Sequence, residues 1–376
     1  MRKIRVLIVD DAVVVRKMVS DVLAADPVLE VVGTAANGRI GLAKIPQVNP
    51  DLVTLDVEMP EMDGLQTLAE LRKTYPRLPV VMFSTLTARG AEATLDALSL
   101  GANDYVAKPA NVGSVAVGMQ RIREDLIPKI KALCPGIVSG LRPPASSSRP
   151  VQPESRPQLQ SKPLLEQTPH APGRRVDVVA IGVSTGGPNA LAELLPSLPA
   201  DFPVPIVIVQ HMPPLFTKLL AERLAAKSAI QVHEGFAGAL LQPACAWVAP
   251  GDFHMTIARD AAAVRLQMHK GPPENSCRPA VDVLFRSVAK VYGANTLAVV
   301  LTGMGQDGLR GCEEIREVGG QILAQDEESS VVWGMPGFVA QAGLADKILP
   351  LVQIAPEIAR RVRESRGVRP ASSVAA

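Results

Sequence analysis

Short apolar runs alternate with amphipathic stretches through the first 125 residues. Ile4–Val9, Leu29–Ala35, Leu52–Leu55, Val80–Phe83 and Asp104–Val106 read as strands. Ala12–Ala25, Arg39–Gln47, Leu65–Thr74, Ala88–Leu100 and Val112–Lys131 read as the helices that follow them. Five strand–helix units in this order predict a parallel sheet covered on both faces. The alternation stops between Pro135 and Arg175, where Pro, Ser, Gln and Arg crowd out apolar residues. Such a stretch cannot bury enough surface to offset its ordering entropy, which predicts a flexible linker. From Asp177 the alternation resumes, with strands at Val178–Val183, Ile206–Gln210, Ala246–Ala249, Leu297–Leu301 and Gln321–Ala324. Helices fit Asn189–Leu195, Phe216–Ala226, Ala280–Val291 and Gly308–Val318. The expected fold is α/β: two doubly wound parallel-sheet domains joined by a disordered linker. The first spans residues 1–125, the helix end and linker 126–175, the second domain 176–360 and a disordered tail 361–376.

Composition narrows the picture mainly by exclusion. Aromatic residues make up 3%, so the cores must be built from Val, Ile, Leu and Ala. A formal charge of +2 gives no footing for nucleic acid. No apolar run approaches the roughly 18 residues needed to cross a bilayer. Met1-Arg2-Lys3 leads straight into Ile4–Val9 and then into acids, unlike a signal peptide, so a cytoplasmic location is expected. Cys134, Cys245, Cys277 and Cys312 form no C-x-x-C pair and sit at no metal-ligand spacing with a histidine, which predicts reduced thiols.

Candidate chemistry gathers at two sheet edges. Asp10 and Asp11 end the first strand, Asp56 ends the third and Lys108 follows the fifth. Ligands of parallel α/β sheets bind at the carboxyl ends of the strands, so these residues converge. Three carboxylates together call for a cation, and hard oxygen donors suit Mg²⁺. Asp56 is the natural nucleophile for a phosphoryl group, with Lys108 neutralising charge on the oxygens. Ser84, at the end of strand four, is placed to bond the new phosphoryl group, and Tyr105 to change rotamer in response.

In the second domain, Gly182-Val183-Ser184-Thr185-Gly186 fits G-x-S-x-G, the strand-to-helix turn that exposes a nucleophilic serine. Pro188 suits the first turn of the helix behind it. A glycine-rich turn also serves dinucleotides, but here Ser184 replaces the middle glycine and the expected downstream acid is absent. A serine nucleophile needs a base. His211 directly follows Ile206–Gln210 and so shares the sheet edge of Ser184, whereas His170 lies in the linker and His233, His254 and His269 lack that placement. Two acids could orient the base: Asp307, after the strand Leu297–Leu301, and Asp252, in the loop Pro250–His254. Asp307 also has a plainer reading, as an N-cap of the helix that follows. The order Ser, His, Asp differs from the Ser, Asp, His of ordinary α/β-hydrolases.

The ordered set VDD, DVEMPEMDG, MFST and AKP closely resembles response-regulator receiver domains over residues 4–125. The resemblance implies a flavodoxin-like fold and phosphorylation of Asp56 by a partner histidine kinase. It also implies that Mg²⁺ is surrounded by Asp10, Asp11, Asp56 and the Glu58 carbonyl. IGVSTGG, QHMP, APGDFHM, RPAVDVLF and LTGMGQDG resemble the chemotaxis receptor methylesterase family over about residues 176–355. That likeness implies a Rossmann-like domain, a triad of Ser184, His211 and Asp307, and oxyanion-binding amides at Thr185 and Met304. It further implies methylated chemotaxis receptors as substrates, glutamine deamidation as a companion reaction, and a receiver that occludes the serine until Asp56 is phosphorylated. Two departures stand out: Val183 where alanine is common, and Cys277 where histidine is frequent, to which no role is assigned. A transcription factor would instead carry a compact basic helix-turn-helix after the linker. A general hydrolase of small esters would act on a panel of chromogenic esters.

Overall fold

The computed structural model describes residues 2–108, 115–138, 175–261 and 263–366. The first domain runs β1 (Ile4–Val9), α1 (Val13–Ala24), β2 (Leu29–Ala35), α2 (Gly38–Val48), β3 (Leu52–Asp56), α3 (Gly64–Thr74), β4 (Val80–Ser84), α4 (Ala88–Ser99), β5 (Asp104–Ala107), α5 (Val115–Leu133) and the short α6 (Pro135–Val138). The strands pair in parallel in the order β2-β1-β3-β4-β5. The chain leaves β1 to one side and returns to the other for β3, which opens a crevice at their carboxyl ends. Side-chain caps fix the entry of the helices facing that edge. Asn37 caps α2, Thr87 caps α4, and Asp63 forms a capping box with Gln66 on α3.

The second domain runs β6 (Val178–Val183), α7 (Gly187–Leu194), β7 (Ile206–Gln210), α8 (Phe216–Lys227), β8 (Gln231–Glu234), β9 (Cys245–Val248), β10 (His254–Asp260), β11 (Ala263–His269), α9 (Val281–Tyr292), β12 (Thr296–Val300), α10 (Leu309–Glu317), β13 (Gln321–Gln325), α11 (Met335–Gln341), β14 (Lys347–Leu349) and α12 (Leu351–Glu364). Its sheet has the order β14-β13-β12-β6-β7-β9-β8 with every pairing parallel, and β10 and β11 form a separate antiparallel hairpin. Strand β6, VVAIGV, is buried along its whole length at the centre. Its alternate side chains feed two cores, as the pleat requires. Val179, Ile181 and Val183 pack with Leu191 and Phe216, while Val178 and Ala180 pack with Val281 and Phe285. Among the described residues no helix is long and apolar enough to cross a membrane.

The predicted doubly wound parallel sheets are both present. Differences lie at the margins. The strand β8, the hairpin β10–β11, β14, α11 and α12 have no counterpart in the predicted elements. Strand β8 buries only Val232 completely and so lacks an apolar run. Helix α12 contains Pro356 and extends to Glu364, so residues 361–364, expected to belong to the tail, are helical. Most of the predicted linker lies outside the described residues.

Candidate active site

Three consecutive positions of the second sheet, β12, β6 and β7, carry the loops that matter. Chain order reverses between β12 and β6, so a crevice opens beyond their carboxyl ends. Ser184 leaves β6 and donates its N–H to Thr302 O at 3.0 Å, and Gly187 N returns to Ser184 O at 2.8 Å. Gly186 closes this turn with φ of 79°, in the left-handed region that favours glycine. Gly303 lies so near that a β-carbon there would meet Ser184 Cβ at 2.8 Å. Backbone bonds brace the Gly303 loop: Gly303 N donates to Val332 O at 3.0 Å, and Gly334 N and Met335 N donate to Gly303 O at 3.0 and 2.8 Å.

His211 follows β7, whose last residue Gln210 pairs with Val183. Its Nε2 lies 2.8 Å from Asp307 Oδ2, and Gln210 Nε2 donates to Ser184 O at 3.0 Å. The hydrogen bond to Asp307 assigns the ring proton to Nε2 and leaves Nδ1 as the nitrogen that carries the lone pair. Burial disfavours a charged imidazole here, but the Asp307 bond and the neighbouring Cys277 thiol outweigh it and raise the His211 pKa. Asp307 is buried, which opposes its ionisation, yet the bonds from His211 and the backbone N–H groups of Asp282 and Val281 hold its pKa below the usual carboxylate value. Among the described residues no hydrogen bond joins the Ser184 hydroxyl to His211, and no protein acceptor takes the amide N–H of Thr185 or Met304.

Asp252, the other acid weighed as orienter, is instead paired with Arg278 and with Lys270 at 3.0 Å. The plainer reading of Asp307 changes too. Gly308 is the N-cap residue of α10, and Asp307 accepts from the first N–H groups of α9, Val281 at 2.7 Å and Asp282 at 3.0 Å. His254 lies apart, bonded to Pro272 O and accepting from Ala280 N.

A cavity of about 620 Å³ is lined by Ser184, Thr185, His211 and Met304, and part of its wall belongs to the first domain. Thr185 Oγ1 donates to Asp104 Oδ2 at 2.6 Å. Asn189 Nδ2 donates to Leu98 O at 2.7 Å. Arg223 on α8 bonds Glu92 O and pairs with Asp96, both at 2.8 Å, on α4. The rings of Tyr105 and Phe216 stack with centroids 4.8 Å apart and planes 4° from parallel. Lys129 lies 5.2 Å over the Tyr105 ring and pairs with Asp104 and Asp125 at 3.5 and 3.1 Å.

In the first sheet's crevice, carboxylate oxygens of Asp10, Asp11 and Asp56 lie within 4.8 Å of one another. Lys108 Nζ sits 3.0 Å from Asp10 Oδ2 and 2.7 Å from Asp56 Oδ2, one ammonium paired with both carboxylates. Burial and the adjacent Asp10 push the Asp56 pKa up to about 6 against the pull of Lys108. Three carboxylates facing a single ammonium make an all-oxygen donor set that fits a hard divalent cation. Ser84 Oγ donates to Gly90 O at 2.9 Å, tying β4 to the first turn of α4.

Comparison with known proteins gives the geometry a family. The family model described as response regulator receiver domain matches residues 6–117, and that described as CheB methylesterase matches residues 179–358. A protein-glutamate methylesterase/protein-glutamine glutaminase of Trichodesmium erythraeum is 56% identical over 363 residues, covering 96% of this chain and 100% of that protein. The chain belongs to the CheB methylesterase family. A namesake from a Nocardioides strain is 53% identical over 364 residues, covering 96% of each chain. Among solved structures, the CheB methylesterase catalytic domain of Thermotoga maritima is 43% identical, covering 49% of this chain and 98% of its own, with a TM-score of 0.49. Several residues that reach this family's candidate site were not singled out from sequence: Asn189, Gln210, Asn275 and Asp282. Asp282 lies in the RPAVDVLF segment, and an acid in a helix's first turn was the available signal.

Proposed function

We propose that the chain is a phosphorylation-activated protein-glutamate methylesterase and protein-glutamine glutaminase acting on methylated chemotaxis receptors, with Ser184, His211 and Asp307 as its triad. The contact carrying this reading is His211 Nε2 to Asp307 Oδ2 at 2.8 Å, one strand from Ser184. With Nε2 committed to Asp307, Nδ1 accepts the Ser184 proton as Oγ bonds to the γ-ester carbonyl carbon. The two closely set loops leave the Thr185 and Met304 amides unbonded, which suits them to hold the oxyanion. Collapse of the tetrahedral centre breaks the bond to methoxide, which leaves as methanol with the proton from Nδ1. Water then attacks the acyl carbon, losing a proton to Nδ1; the bond to Ser184 Oγ breaks, Oγ takes that proton back, and the receptor's glutamyl side chain leaves as a carboxylate. A glutamine substrate follows the same path with ammonia as the leaving group. The Ser184–His211 contact forms as substrate fills the cavity, since catalytic hydrogen bonds commonly tighten only in the complex.

Control is assigned to Asp56. Asp10, Asp11, Asp56 and the Glu58 carbonyl would hold Mg²⁺, which when bound neutralises phosphoryl oxygens. The phosphoryl group passes from a sensor histidine kinase to an Asp56 oxygen, and Lys108 pairs with its charge. Ser84, turning from Gly90 to the phosphoryl group, would release α4, while Tyr105 leaves its stack on Phe216. That supports a phosphorylation signal that loosens the wall over Ser184. The setting is cytoplasmic, with no nucleic acid involved.

Methanol release from methylated receptor membranes tests the reading. Ser184→Ala should lose nearly all activity in the phosphorylated protein; release at the parent rate would refute it.

A further inference from the structure

Asp307 is held more tightly than its contact with His211 requires. Besides that bond, its Oδ2 accepts from Val281 N at 2.7 Å, and its Oδ1 accepts from Asp282 N, Gly308 N and Asn275 Nδ2, each at 3.0 Å. Asp282, in the first turn of α9, returns the arrangement. Its Oδ1 accepts from Gly308 N at 3.0 Å and Gly311 N at 2.7 Å at the start of α10, and its Oδ2 accepts from Asn275 Nδ2 at 2.9 Å. Neither helix has a capping side chain at its own N-cap position, so α9 and α10 cap each other. Two buried carboxylates at this spacing repel, and one amide nitrogen of Asn275 touches both.

Asn275 comes from the cavity mouth. It sits at φ of 51° in a tight loop closed by Glu274 N to Cys277 O at 3.1 Å and Cys277 N to Glu274 O at 2.8 Å. Arg286 grips Glu274 through both carboxylate oxygens at 2.6 and 2.7 Å. Asn275, Ser276 and Cys277 line the cavity. Among the described residues, the other hydrogen bonds to Asp307 come from backbone amides and His211. Asn275 is exposed, and so ties a buried acid to the surface that meets substrate.

We infer that Asn275 is a positioning residue for the Asp307–His211 pair, clamping Asp307 to Asp282 so that the mouth loop sets the orientation of the base. The inference rests on the triad reading above. His211 faces Asp307 and the Cys277 thiol; Asp104, Glu124, Asp125, Lys129, Asp252 and Arg278 also line the cavity, and Asp282 faces Arg286 and Cys312.

The test uses the full-length, phosphorylated protein and its Asn275→Ala and Asn275→Ser variants, assayed for methanol release across pH. Removing a donor concentrates charge on Asp307, favours the imidazolium and makes the neutral base available only at higher pH. The expected result is a kcat lowered about tenfold with little change in KM. The acid limb of the kcat profile should move to higher pH, and the low-field proton resonance of His211 Nε2–H should shift. A kcat within twofold of the parent overturns the inference; so does a lower kcat whose acid limb and resonance stay in place. Circular dichroism compares folding, and the resonance reads the His211–Asp307 bond in either variant without turnover. Ser184→Ala, run alongside, separates the two readings. If it turns over, the triad fails; if it is dead while both Asn275 variants behave as parent, only the positioning role fails.

Discussion

At Asp56 the carboxyl group is costly to the fold. Burial and Asp10 raise its pKa from 3.8 to about 6, so the folded protein keeps a proton that the unfolded chain gives up. Folding therefore takes up a proton between these values, and stability falls as pH rises through that window. Asp56→Asn keeps the shape and removes the charge. Its receiver transition should be more stable than the parent's by roughly 2–3 kcal/mol above about pH 7, with the gain vanishing near pH 4. Urea unfolding followed at several pH values checks this; a gain independent of pH would show that burial of the charge is not its origin. The acids and Lys108 were legible in the sequence because each closes an apolar run at one sheet edge. Ser184 and His211 were legible for the same reason. Asn275 was not: it lies in the loop between β11 and α9, and its bonds to Asp282 and Asp307 exist only because that loop folds back over the starts of two helices.

At the scale of elements, helices that cross the sheet edge decide what the loops can reach. The reciprocal capping of α9 and α10 puts Asp307 where a helix N-terminus favours its negative charge. A sequence pattern sees only that an acid precedes a helix; which helix it caps depends on tertiary packing. Helix α12 shows the same limit at the far edge. Pro356 interrupts its apolar pattern, yet Ile354, Ile358 and Val362 are buried against the sheet. Its polar side is locked by Glu357, which meets Arg360, Arg361 and Lys347 of β14, while Arg361 reaches Asp346 at 3.3 Å. These cations hold the Glu357 carboxyl well below the usual range although burial opposes them. Glu357→Ala strands the nearly buried Arg361 beside one remaining acid, so the second domain should lose roughly 2–3 kcal/mol in urea titration. A loss below about 0.5 kcal/mol would mark the network as a surface ornament.

Across the whole molecule, the junction between domains was the part no sequence pattern could supply, because neither domain's periodicity encodes the other's surface. The structure closes it through α4 and β5 against α7 and α8, with Arg223 held by Glu92 O and Asp96. Arg223→Glu sets like charges face to face at a half-exposed position. Activity without phosphoryl donor should rise roughly three- to tenfold, less at high salt, because such contacts are worth about 1 kcal/mol and are screened. Unchanged basal methanol release would show that this contact does not restrain the enzyme. At Thr185, finally, the two domains and the candidate site meet in neighbouring atoms: the hydroxyl holds Asp104 while the amide belongs to the turn beside Ser184. Under the proposed mechanism an exchange at Asp104 changes the seam alone, whereas proline at position 185 would also remove the amide offered to the oxyanion.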